Sequence, residues 1–166
     1  GEYAMKNFVK LLSIMGMAGC LLFGKVDVQA ADQGFIELPM EEVQIIISSE
    51  DEGVGASSVA AASLGGCELG IGIASNGVSI TFSTSSTQVA SEIGVKNIVL
   101  QEKNGLGWTN IGISNHYDRN RQEYTGGVVY TGAQRGKTYR VYCTHYAIIN
   151  GREYTLYSIT DNLVYN

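Results

Sequence analysis

Cys67 and Cys143 are the residues of this chain best suited to covalent chemistry. A thiolate is a strong nucleophile, and two thiols within reach of one another can form a disulfide. Period-two alternation over residues 137–148 places Tyr139, Val141, Cys143, His145 and Ala147 on one strand face, inward at Val141 and Cys143. Cys67 shares its face with Leu69, Ile71 and Ile73, also expected inward. Two inward cysteines on facing sheets could bridge, closing a loop of 76 residues (143 minus 67). The chain-entropy view gives such a bridge roughly 4 kcal/mol, less any strain. A pair of buried free thiols is the other state open to them.

Non-covalent chemistry points elsewhere. Nine of the ten tyrosines lie between Tyr117 and Tyr165, so the aromatic surface is concentrated late in the chain. Tyr142, Tyr146, Tyr154 and Tyr157 occupy the last hairpin, with Tyr142 and Tyr146 on the face opposite Cys143. A flat apolar ring with a polar tip suits protein interfaces and sugar stacking; it equally suits cross-strand pairing within a sheet. Together with Trp108, and with His116 and Arg121 from a polar stretch at 114–125, these tyrosines are the candidate contacts for an unidentified protein or glycan ligand. His116, Asp118 and His145 lack a repeated ligand spacing, so a hydrogen-bonded loop is expected there; no metal and no cofactor is expected. Phosphate-cradling glycines and a serine elbow are missing.

The elements that must carry these residues read as strands. Cys67 to Ile73, Val78 to Phe82, Ile98 to Gln101, Trp108 to Ile111, Val128 to Tyr130, Lys137 to Ile148 and Glu153 to Thr160 give seven. Asn76-Gly77, Asn104-Gly105 and Asn150-Gly151 mark hairpin turns between them. Seven strands without an amphipathic helix predict an all-β domain over 57–166, a single antiparallel β-sandwich.

The residues ahead of this domain set its address. Gly1 to Ala4 precede a natural-looking start at Met5 and read as a cloning remnant. Residues 5–30 have the layout of a secretory signal: Lys6 and Lys10, an apolar run from Leu11 to Phe23, and a small-residue site at Val28-Gln29-Ala30. The run falls short of the ~20 residues that a spanning helix needs. Met17-Ala18-Gly19-Cys20 offers a competing lipoprotein reading, in which Cys20 is lipidated and the protein becomes membrane-bound. Cleavage after Ala30 is favoured, because lipidation would leave Leu21-Leu22-Phe23 opening the mature chain.

Residues 1–30 hold three of the eleven basic and two of the sixteen acidic residues, so eight and fourteen remain, a net charge of −6. Nucleic acid is a poor partner for such a surface, as is an anionic membrane unless Cys20 is lipidated. Residues 31–56 are acidic, hold the only proline (Pro39), and read as a leader or linker. Val43-Gln44-Ile45-Ile46-Ile47 within them has the β character of a strand that could add to a sheet edge.

Residues 93–94 and 98–108 (IVLQEKNGLGW) and residues 126–147 (GGVVYTGAQRGKTYRVYCTHYA) resemble a family of small secreted Firmicutes proteins of unknown function. More distantly they resemble fibronectin type III and other immunoglobulin-like modules. That resemblance implies an immunoglobulin-like sandwich and casts Tyr139 as a tyrosine corner, its hydroxyl bonded to backbone upstream. Trp108 departs from the pattern, since it follows a hairpin turn. The order His116, Cys143, Arg152 is superficially similar to that of sortases, where a thiolate attacks a peptide carbonyl and an arginine steadies the oxyanion. The chain lacks the Thr-Leu-x-Thr-Cys context, and its His and Cys are too close in sequence. The expectation is therefore a secreted or cell-surface, non-enzymatic module that binds or adheres through aromatic residues. A thiol-dependent transpeptidase and a structural envelope protein are the alternatives.

Overall fold

The computed structural model describes residues 34–43 and 64–166. The signal at 5–30, Cys20 and residues 44–56 of the leader lie outside the described residues. Ten strands form: β1 (Phe35–Glu37), β2 (Leu64–Ala74), β3 (Gly77–Ala90), β4 (Glu92–Asn104), β5 (Gly107–Ile113), β6 (His116–Asp118), β7 (Arg121–Tyr130), β8 (Thr138–Ile149), β9 (Arg152–Ile159) and β10 (Leu163–Val164). Seven of them match the seven strands expected. The additional three, β1, β6 and β10, span only two or three residues and are too short to show alternation.

Every pairing is antiparallel. One sheet runs β1-β7-β3-β2. The other is built on a central β4–β8 pair, with β5 and β6 on the far side of β4 and β9 and β10 on the far side of β8. The chain changes sheet at Ser91, whose N–H donates to Ile148 O at 2.8 Å while its own carbonyl accepts from Asn120 N–H.

Alternation explains why these segments pair as they do. Val78, Ile80 and Phe82 of β3 and Val128 of β7 face Val95, Ile98 and Leu100 of β4 and Tyr139, Val141 and Cys143 of β8. This single apolar layer between the sheets is the core, and burial of its side chains is the main stabilising term. Leu64, Ala90, Ile93, Ala147 and Ile149 close one end. On edge strand β2, Leu69 and Ile71 pack against the core, whereas Ile73 at the hairpin end is exposed and departs from the inward expectation.

Turn chemistry follows the asparagines with one refinement. Asn150 and Gly151 are the two turn residues and both have positive φ, as a type I′ turn requires. In the other two hairpins the turn residues are Ser75-Asn76 and Gly105-Leu106, so the Asn-Gly pair is displaced by one residue in each.

Part of the stretch expected to be a solvated linker folds onto the domain. Phe35–Glu37 pairs with β7, and Leu38 N–H donates to Gly127 O at 2.9 Å. A helical turn at 40–43 follows, and Leu38 and Val43 bury against Val129 on the outer side of the four-stranded sheet. The glutamates that suggested solvation, Glu37, Glu41 and Glu42, are all exposed. The polar stretch at 114–125, expected as a loop, is mostly strand: β6 pairs with the start of β4, and β7 begins at Arg121. Most of its polar residues, Asp118 to Glu123 among them, are exposed, so no apolar alternation marks the strands.

Candidate functional site

Two places bring chemistry-bearing side chains together. The first is the solvent-facing side of the six-stranded sheet. Residues directly opposite on antiparallel strands share a face. Register therefore gathers Lys103 with Trp108, Gln101 with Asn110 and Arg140, Val99 with Tyr142 and Ile159, Thr144 with Tyr157, and Gly94 with Tyr117 and Tyr146. Tyr157 is 56% exposed, Tyr117 42% and Ile159 37%. Tyr142 and Tyr157 lie with ring centroids 5.9 Å apart.

Charge is arranged around these rings. The Arg140 guanidinium lies 4.0 Å from the Trp108 ring centroid, and Lys103 Nζ lies 4.9 Å from it. Arg140 Nε donates to Gln101 Oε1 at 2.7 Å, which holds the guanidinium in place. Among the described residues neither Lys103 nor Arg140 has a carboxylate within ion-pair distance. Lys96 instead is paired with Glu153 through both carboxylate oxygens at 2.7 and 2.8 Å. Gly94 lets β6 approach here: an added Cβ would run into the carbonyl oxygen of His116 and lie 2.6 Å from Tyr117 Cα.

The expected contacts divide. Trp108, Tyr142, Tyr146 and Tyr157 share this face; Tyr154, His116 and Arg121 do not. Tyr154 pairs with Ala147, which turns it inward onto the end cluster. His116 pairs with Val95 and its ring lies 5.2 Å from Phe82, toward the interior. Arg121 sits opposite Ala90 at the end of the other sheet. Tyr146 is 4% exposed and donates its hydroxyl to Glu92 Oε1 at 2.7 Å, so it is fixed support rather than a free contact. Burial first, then Glu92, pushes its hydroxyl well above the usual tyrosine range. Arg140, Ile159 and Tyr117 complete the face and were not singled out in the sequence. The alternation that set Tyr142 opposite Cys143 would have found Arg140.

The second place is buried. Cys143 and His145, two residues apart on β8, both face the interior with 0% exposure, and Cys143 Sγ lies 3.6 Å from His145 Nε2. His145 Nδ1 lies 2.7 Å from Thr84 Oγ1, and the Thr84 hydroxyl donates to Gly94 O at 3.2 Å. A hydroxyl that donates to Gly94 accepts from Nδ1–H, which leaves Nε2 as the acceptor facing the thiol. Burial holds His145 down to about 4, and burial raises Cys143 to about 12, with a smaller contribution from nearby Cys67. The pair at neutral pH is thiol and neutral imidazole.

Cys67 lies opposite Thr84, half-buried, and burial raises it to about 11. Of the two states open to the cysteines, the structure has free thiols. The His116, Cys143, Arg152 trio is not assembled. His116 is separated from His145 by the whole of β4, and the histidine bonded to Cys143 is His145. Arg152 is six residues along β9 from Ser158, the partner of Cys143, a run of roughly 20 Å. Among the described residues no group of three His, Cys, Asp or Glu is placed to hold a metal ion.

The Tyr139 hydroxyl is bonded to backbone upstream of it. Fully buried, its hydroxyl accepts from Gln134 N–H at 2.9 Å and donates to Glu102 Oε2 at 2.9 Å. It thereby pins the sheet-to-sheet connection at 131–137 to β4. In comparison with known proteins, no family model, curated protein or solved structure matches the chain.

Proposed function

We propose that the protein is an exported, non-enzymatic recognition module that presents the outer side of its six-stranded sheet to a protein partner. The observation that carries this reading is the continuous run of Trp108, Arg140, Tyr142, Tyr157 and Ile159 on that side. Trp, Tyr and Arg are the side chains that dominate the energetics of protein interfaces. A glycan is the weaker fit. Sugars stack on open indole faces, and Arg140 and Lys103 already occupy the Trp108 ring. Lys103 and Arg140, neither with a carboxylate partner among the described residues, favour an acidic patch on the partner.

Export rests on residues 5–30, and the immunoglobulin-like kinship, with its link to small secreted Firmicutes proteins, rests on the quoted segments and the Tyr139 hydrogen bond to upstream backbone. A thiol-dependent transpeptidase draws little support. Its nucleophile would be a fully buried Cys143, held as thiol beside a neutral imidazole.

The test compares wild type with Tyr142→Ser/Tyr157→Ser and with Glu68→Ser, which alters the exposed side of the other sheet. Partner retention is measured by quantitative affinity capture from the protein's own host. Loss of two hot-spot tyrosines costs about 2 kcal/mol or more, roughly thirtyfold in affinity, while Glu68→Ser leaves retention unchanged. Equal retention by all three proteins would overturn the assignment. Retention of the chain's own copies alone would move it to the structural envelope alternative.

A further inference from the structure

Asn76, Asn104 and Asn150 are the asparagines followed by glycine, and each lies at a hairpin turn. At such a pair the backbone nitrogen of the glycine can attack the asparagine side-chain carbonyl, because the following residue has no side chain to block the approach. The fold does not present the three pairs alike.

Asn76-Gly77 is held shut. Gly77 is paired with Ala74 across a two-residue turn, so its N–H closes the turn onto the Ala74 carbonyl. Gly77 is also buried, and an added Cβ there would run into the carbonyl oxygen of Tyr130. Asn150-Gly151 is exposed but wrongly turned. Asn150 has φ 51° in a type I′ turn, a conformation that sets the Gly151 nitrogen anti to the Asn150 Cβ and so away from its carboxamide. Asn104-Gly105 meets neither obstacle. Asn104 ends strand β4 in extended backbone, and Gly105 is a turn residue with φ 58° whose N–H stands outside the ladder. Both are exposed, an added Cβ at Gly105 would meet open space, and Leu106 beside it is fully exposed. Only the last rung of the hairpin, Asn104 with Gly107, has to open for the nitrogen to swing into reach, and terminal rungs open at little cost.

We propose that Asn104 is a site of spontaneous modification, converted through a succinimide to isoaspartate and aspartate. The Gly105 nitrogen loses its proton to solvent base and attacks Asn104 Cγ. The Cγ–Nδ2 bond breaks, and that nitrogen leaves as ammonia with a proton from water, closing a five-membered ring. Water then opens the ring. Cleavage at Cγ gives aspartate; cleavage at the backbone carbonyl carbon gives isoaspartate, which adds one carbon to the backbone of the turn. Either product exchanges the amide for a carboxylate, a negative charge next to Lys103 in the hairpin that carries Trp108. On the recognition reading above, on which this consequence rests, the new charge opposes an acidic partner.

The test incubates the whole chain, folded and in guanidinium chloride, at mildly alkaline pH over days. Peptide mass spectrometry follows each site, with the two products separated by chromatography. Unfolded, the three Asn-Gly pairs should react at similar rates. Folded, Asn104 should still react, at least tenfold faster than Asn76 and Asn150. A folded chain in which Asn104 is as slow as Asn76, or Asn150 as fast as Asn104, would overturn the proposal. Affinity capture checks the consequence separately: Asn104→Asp should retain less partner than wild type, and equal retention would overturn it. Wild type retaining no partner at all would count against the recognition surface, with the modification site decided by the mapping alone.

Discussion

Acid should destabilise this protein through His145. The unfolded chain binds a proton at His145 near the ordinary value of 6.5, while burial holds the folded value at about 4. Above 6.5 the imidazole is neutral in both states and contributes no pH dependence. Between 6.5 and about 4 only the unfolded chain takes up the proton, so stability falls as pH falls. Below that window both states are protonated and the loss levels off. At 1.36 kcal/mol per pH unit, the gap between 6.5 and about 4 amounts to about 3 kcal/mol. This is a sizeable share of the 5–15 kcal/mol typical of a domain. Urea unfolding of wild type and His145→Gln, at steps from neutral to acid pH, measures it. The two proteins differ only at residue 145, so the comparison isolates His145. Wild type should lose about 3 kcal/mol more than the variant over the window. Parallel curves for the two proteins would refute the reasoning, because they would mean that His145 protonates as easily in the fold as outside it.

Two further outcomes follow from single contacts. Tyr139→Phe removes the acceptor of Gln134 N–H and the donor to Glu102 in one step, and should cost about 2 kcal/mol, seen as a drop of roughly 10 °C in Tm by calorimetry. Gly94→Ala places a methyl against the backbone of His116 and Tyr117 and should detach β6 while sparing the β4–β8 pair, which amide hydrogen exchange resolves strand by strand.

The strands that carry strict alternation were legible in the sequence. Val78, Ile80 and Phe82, or Val141 and Cys143, announce both their secondary structure and their inward face. The faces of Tyr142 and Tyr146 followed from the same rule. Tyr154 escaped it, because the inward face of β9 is set by its register with β8 and its own alternation is weak. Strand β1 was hidden because it is three residues long and ends in the exposed Glu37. The buried relay was legible only in part. His145 was placed on the face of Cys143, but Thr84 lies 61 residues earlier in a run of serines and threonines with no apolar signal. Its role depends on two sheets meeting, which no local pattern encodes.

The most direct measurement of the proposed recognition surface is site-specific photo-crosslinking in the protein's own host, with benzoylphenylalanine replacing Tyr157 in one sample and Glu68 in another. A discrete adduct to another protein from position 157, absent from position 68 and lost on Tyr142→Ser, is the predicted result. Equal adducts from both positions, or none from 157, would contradict it.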